Sequence, residues 1–312
     1  MTTHRWCWVV AGLALVAGLA LGGCGGREDV TAATPEIETT KAALGRIVFA
    51  SMRTGQYELY VQYASPAIPV VRLTNNSGFD GQPDLSPGGG LVSYMSEASG
   101  QWDLYTVKVD GTNRKRLTTS SLDDATPAWS PHGTKVAFMH GNRPKQSIWT
   151  MNTDGTGKVR LTKDLASCWR PTWSPDGKKI AFVADNQGGV DLWVVNADGT
   201  GLKRIVDLPG HNTEPDWSPD GKRIVFSSDR GNADWQYSIW IMNADGTNVR
   251  RLTTGTDTRS ASWCPDGSRL AFQRSGTGSL TIYSMKPDKT DVRIEIPGSE
   301  RNASPTWWVP TS

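Results

Sequence analysis

Few side chains in this sequence are of the types that build active sites, and they are scattered. The histidines are His4, His132, His140 and His211, and the cysteines are Cys7, Cys24, Cys168 and Cys264. No Gly-x-Ser-x-Gly nucleophile elbow is present, and clustered histidines of the kind lyases and metal enzymes use are missing. One periodic set has ligand chemistry. Asp80, Asp124, Asn212 and Asn302 each stand three residues before a proline. Oxygens so placed can cap a turn, or they can ring a cation such as calcium, which takes six to eight of them. Cys168 and Thr258 occupy the matching positions and break such a ring, so turn capping is the expected role. No metal and no cofactor is expected. Recognition is the remaining chemistry. Trp169, Arg170, His211, Glu214, Arg230, Trp235 and Arg259 are of the types that anchor a partner when loops on a rigid scaffold present them. Each of these also has an ordinary alternative, as a solvated loop residue or, for the tryptophans, as packing over a sheet edge.

The elements that must position these residues repeat. Pro215-Asp216-Trp217-Ser218-Pro219-Asp220-Gly221 is echoed at Pro171 to Gly177 and Pro127 to Gly133, more weakly at Pro83 to Gly89 and Ala261 to Gly267, and in half at Pro305 to Pro310. The second prolines, at 87, 131, 175, 219, 265 and 310, are 44, 44, 44, 46 and 45 residues apart. A period of about 40–45 residues is the length of a four-stranded propeller blade. Each unit holds four short apolar segments, typified by Pro-x-Trp, Ile180-Ala181-Phe182, Leu192-Trp193 and Arg160-Leu161-Thr162. Ser-Pro-Asp-Gly separates the first two and Asp-Gly-Thr the last two, both strong turn signals. The chain enters at Arg46 on a second segment and leaves at Pro305 to Pro310 on a first segment. Six complete units form only if the last strand joins the first three. The expected fold is therefore an all-β, six-bladed propeller over residues 45–312, with one rim of short uniform turns and one rim of variable loops. The mouth of the channel on the loop rim is the expected binding face. Cys168 and Cys264 fall on opposite faces two blades apart, so no disulfide between them is expected.

Composition fits a chain without strong electrostatic bias. The 312 residues include 33 Gly, 18 Pro and 14 Trp, and the net charge is +2, which favours neither nucleic acid nor an acidic substrate. Ahead of the repeats, Trp6 to Leu21 is an apolar or Gly run, short of the roughly 20 residues that span a bilayer and of a length that suits a secretory signal. The Leu21-Gly22-Gly23-Cys24 end resembles the lipobox of bacterial lipoproteins. That resemblance implies a signal peptide over 1–23, cleavage before Cys24 and a diacylglyceryl group on its thiol. A plain signal peptide or an uncleaved anchor are the alternatives. Residues 24–44 are polar and without periodicity, and are expected to serve as a tether.

The units, with Trp-Ser-Pro-Asp-Gly-Lys-x-Ile-Ala-Phe and Trp-x-x-Asn-Ala-Asp-Gly-Thr, resemble the WD-like propeller repeats of the TolB family from Gly45 to the C-terminus. The resemblance implies six blades and an exported protein that binds other proteins at the cell envelope without catalysis; in the family, TolB pairs with a peptidoglycan-associated lipoprotein. This chain departs by lacking the α/β domain that precedes the TolB propeller and by its own lipidation signal. The expected protein is a monomer that is held to a bacterial membrane through its lipid and binds an envelope protein rather than nucleic acid. A saccharide or small-ligand binder at the channel mouth is the alternative. A hydrolase or lyase would need a catalytic cluster that the sequence does not contain.

Overall fold

The computed structural model describes residues 45–65, 67–185, 189–232, 236–276, 279–297 and 301–310. The signal, Cys24 and tether of residues 1–44, and Trp235, lie outside the described residues. Among the described residues the strands form six four-stranded antiparallel sheets, the six blades expected. The inner strands of blades two to six are Asp80–Leu85, Asp124–Trp129, Ser167–Trp173, Asn212–Trp217 and Thr258–Trp263, and that of blade one is the last strand of the chain, Asn302–Trp308.

The apolar triplets of the repeat become second strands buried on both sides. In Arg46–Ser51 every residue is buried. Successive side chains of a strand point to opposite faces, and in a propeller both faces meet a neighbouring blade. Val48 and Ala50 accordingly join Leu85, Tyr94 and Tyr105 of blade two, while Ile47 and Phe49 join Ala271, Ile282 and Ile296 of blade six. This is why the triplets read as continuous apolar runs rather than alternating ones. The repeated tryptophans fill the same interfaces: Trp129, Trp173, Trp217, Trp263 and Trp307 are all buried. The turns behave as their chemistry dictates. In Asn243–Thr247 the Asp245 carboxylate accepts from the Thr247 amide at 2.9 Å and its hydroxyl at 2.7 Å, leaving Gly246 to take the positive φ of 93°.

Closure is made by one ladder. Arg46 pairs with Trp308, Ile47 with Trp307, Val48 with Thr306, and Ser51 with Asn302. Trp308 extends the closure to blade two. Its indole N–H donates to the Pro87 carbonyl at 2.9 Å, the Arg46 guanidinium lies 4.3 Å from its ring centre, and its ring occupies the space a Cβ on Gly89 would need. Both ends of the propeller, Gly45 and Pro310, therefore emerge on the turn rim.

The inner strands carry a fold-wide irregularity. Gln82, Thr126, Arg170, Glu214, Ser260 and Ser304 all have φ between 49° and 57°, a left-handed conformation uncommon for side-chain-bearing residues. Each sits at a register shift between first and second strand. The bulge turns these side chains along the channel wall toward the next blade.

If the ladder between the first and last strands holds the ring, Trp307→Ala should cost roughly 3–5 kcal/mol. For a chain of this size that lowers the melting temperature on the order of 10 °C. Thermal unfolding followed by tryptophan fluorescence or calorimetry checks it; an unchanged melting temperature would refute the role given to the closing strand.

Candidate functional site

The channel is lined by two rings of side chains from the inner strands. The upper ring holds the six bulge residues, and the lower ring holds the residue two positions further along each inner strand: Asp84, Ala128, Thr172, Asp216, Ser262 and Thr306. Together they surround about 300 Å³.

The upper ring is wired from blade to blade. The Arg170 amide donates to Thr126 Oγ1 at 3.2 Å. Its guanidinium pairs with Glu214 Oε1 at 3.0 Å, where the Glu214 side chain is only 9% exposed. Glu214 Oε2 then accepts from the Ser227 hydroxyl at 2.7 Å and the Ser260 amide at 2.6 Å. Burial alone would push the Glu214 carboxyl up. The Arg170 charge and these hydrogen bonds outweigh it and hold Glu214 below its ordinary range, so the pair is ionised.

The lower ring does the opposite. Asp84 accepts from the Trp129 amide of the next blade at 2.6 Å, and Asp216 from the Trp263 amide at 2.7 Å. Thr306 and Thr172 approach their other oxygens at 3.5 and 3.3 Å. Burial, partly offset by these bonds, raises both to about 7, and for Asp216 the charge on Asp84 adds to the rise. The arrangement repeats across half the ring: Asp84 is to Trp129 and Thr306 as Asp216 is to Trp263 and Thr172.

Around the loop-rim mouth, the described residues among those singled out from the sequence fall in one arc over blades four to six. Arg170 and Glu214 are brought together, but inward, as a channel pair. Trp169 is half-buried, packed against the interface of blades four and five, with the Arg143 guanidinium 5.4 Å from its ring centre. His211 is held by Asp229, its Nδ1 2.7 Å from Oδ2 and its amide donating to Oδ1 at 2.7 Å. Arg230 lies over the Trp240 ring at 5.5 Å. Arg259 lies over Tyr237 at 4.2 Å and donates to Asp257 at 2.9 Å. His211, Arg230 and Arg259, like Trp169, are partly exposed at the mouth.

The periodic oxygens are structural. Asp80, Asp124, Asn212 and Asn302 are all fully buried. Asp124 pairs with His140 Nδ1 at 2.7 Å, and Asn212 donates to the Leu208 carbonyl at 3.1 Å. No group of three metal-ligating side chains occurs among the described residues. Cys168 and Cys264 are free and buried, and burial pushes their thiols up to about 11 and about 12, the reverse of a nucleophile. Asp84 and Asp216 were not singled out in the sequence. In Pro-x-Trp, period 2 sends Trp and x to opposite sides, but only the assembled ring shows that x lines the channel.

The model of the TolB β-propeller domain family matches residues 43–167 and 163–311. Among solved structures, TolB from Acinetobacter baumannii superposes with a TM-score of 0.73 at 21% identity, over 84% of this chain and 66% of that one. A TolB-type protein from Agrobacterium tumefaciens gives 0.66 at 20% identity, over 86% and 99%. An oligogalacturonate lyase in complex with manganese gives 0.58 at 16% identity, over 81% and 73%. At these identities the likeness is one of fold. No curated protein matches the chain.

The two channel aspartates bind protons more tightly folded than unfolded. Their raised pKa favours the native state below about pH 4, and that advantage is lost as pH rises through about 7. Asp216→Asn should therefore flatten the fall in stability between pH 4 and pH 8 and raise the melting temperature at pH 8. Melting curves across that range check it; a parallel shift at every pH would contradict it.

Proposed function

Because this chain belongs to the TolB β-propeller domain family, we propose that it is a non-catalytic scaffold, exported and tethered by lipid on Cys24 to a bacterial membrane, that binds an envelope protein at its loop rim. The observation that carries this reading is the asymmetry of the two rims. The turn rim repeats nearly the same short turn in each blade. The loop rim gathers Trp169, His211, Arg230 and Arg259 in one arc over blades four to six, backed by the fixed Arg170–Glu214 pair, and Trp235 belongs to the same blade-five loop. A mixed aromatic and arginine patch around a depression is the composition of a protein-binding hot spot. The absence of catalysis is part of the proposal, since some similar folds are enzymes. It is supported by the pairing of the channel charges with one another or with backbone amides rather than toward open space.

A second reading, a saccharide or small ligand in the channel mouth, draws on the 300 Å³ of polar-lined space. Sugar sites favour exposed aromatic faces, and Trp169 is instead half-buried beneath Arg143, which favours the protein partner.

Two measurements test the proposal. Mass spectrometry of the native chain should find an acylated N-terminal Cys24, and Cys24→Ser should release the protein from the membrane fraction. Crosslinked capture from envelope extracts should recover a specific partner with the unaltered chain and lose about tenfold or more of it with the triple variant Arg230→Ala, Trp235→Ala, Arg259→Ala, as expected when anchor residues of an interface are removed. Undiminished capture by the triple variant, with its melting temperature unchanged, would refute the choice of rim.

A further inference from the structure

The turn rim carries its own pattern, which the partner-binding reading leaves unused. Every lysine among the described residues lies on it except Lys145 and Lys163, which stand in loop-rim loops. In blade two, Lys108, Arg114 and Lys115 flank the single carboxylate of Asp110. In blade five, Lys222, Arg223 and Arg250 exceed Asp220 and Asp245, and cations outnumber carboxylates in the same way in blades three, four and six. The surplus does not arise from leaving the turn aspartates out of the count. They are ionised, since hydrogen bonds such as that from Thr156 to Asp154 hold them below their usual range, and the surplus remains after they are included. The cations are also presented outward: Lys115, Lys158, Lys178, Lys203, Lys222 and Lys286 are exposed. The loop rim has no such surplus: its Glu58, Asp103, Asp191, Asp229 and Asp257 offset its cations, pairing with Arg72, Arg116, Arg204, His211 and Arg259. The cation surplus therefore lies mainly on one face of the disc.

The second observation is where the chain enters. Gly45 and the closing strand both lie on the turn rim, so residues 24–44 join the propeller on its positive face. About 20 residues of random chain span typically ~25 Å. To put the loop rim against the surface that holds Cys24, they would first have to cross two further strands (~10 Å) and then the height of the blades (~20 Å). Attachment point and charge therefore select the same orientation.

We infer that the turn rim rests on an anionic phospholipid surface, with the lysines of its turns among the headgroups and the loop rim turned outward to its partner. Basic side chains within a Debye length of such a surface are attracted to it, and salt screens the attraction. The orientation rests on the tether reading above, whereas the lipid-binding rim does not.

The test separates the two. The full chain, lipidated on Cys24, is placed in vesicles of phosphatidylcholine with about 30% phosphatidylglycerol, and its lysines are labelled with a water-soluble amine reagent and read by mass spectrometry. Lys158, Lys178, Lys222 and Lys286 should be protected several-fold relative to detergent, and Lys145 and Lys163 should not. The protection should fall in pure phosphatidylcholine and at about 0.5 M salt, where charges on a surface are screened within a few ångströms. In parallel, the full chain with Cys24→Ala should sediment with the anionic vesicles at low salt, and Lys158→Glu, Lys178→Glu and Lys222→Glu together should weaken this about a hundredfold or more, as reversal of three surface cations predicts. Equal labelling of both rims on vesicles that hold the lipidated chain would overturn the inference while leaving the tether intact. So would protection that persists unchanged in pure phosphatidylcholine. Sedimentation of the Cys24→Ala chain, found together with a native chain that carries no lipid, would sink the tether reading and leave the lipid-binding rim standing.

Discussion

One antiparallel ladder, between the second strand of blade one and the final strand of the chain, converts a row of sheets into a ring. Without it, Arg46–Ser51 would be an edge of six buried residues with open N–H and C=O groups, the kind of edge that recruits foreign strands. With it, Trp307 completes the packing between blades six and one, and Trp308 reaches onward to Pro87 of blade two. The same ladder fixes where the chain enters and leaves. Both ends emerge on the turn rim, and this assigns different tasks to the two faces of the disc: one receives the covalent connection to the rest of the chain, and the other is free to vary.

The channel shows how such a ring manages its own crowding. Six inner strands converge on one axis, and each bends away through a bulge with a left-handed residue. Such conformations carry a strain of order 1–3 kcal/mol each. The bulges are answered in part by bonds from blade to blade, as when Thr126 receives the Arg170 amide and Glu214 receives the Ser260 amide. The lower ring extends the pattern, with Asp84 and Asp216 binding the amides of the tryptophans that fill the next interface. Charge in the channel thus works as mortar between blades. Arg170 and Glu214 balance each other, and burial raises the two aspartates to about 7, so that they take up protons near neutrality.

Much of this was legible in the chain. A 44-residue period, turns of Ser-Pro-Asp-Gly and Asp-Gly-Thr, and half-units at the two ends lead to six closed blades because each signal reflects a local, short-range rule. Asp80, Asp124, Asn212 and Asn302 are buried at the starts of their inner strands, where Asp124 meets His140 and Asn212 donates to the Leu208 carbonyl. The site was less legible. Arg170 and Glu214 look like partner-facing loop residues in sequence, but they are 44 residues apart, and only the ring brings the guanidinium to the carboxylate. Trp169 looks like an exposed anchor until the interface of blades four and five is assembled beneath it. Asp84 and Asp216 were hidden because their meaning depends on which face of an edge strand looks into the channel. Contacts between neighbouring blades carry no local signature, so composition and spacing could not reveal them.

The closed ring is the claim on which the rims, the channel and the orientation all depend, and amide hydrogen exchange reads it most directly. The amides that cross the ladder, those within Arg46–Ser51 and Asn302–Trp308, should exchange as slowly as those in the second and third strands of blade four, because global opening is the only route to them. Fast exchange in these two strands beside slow exchange in blade four would mean that blade one opens on its own, and a closed ring could not then be the ground state.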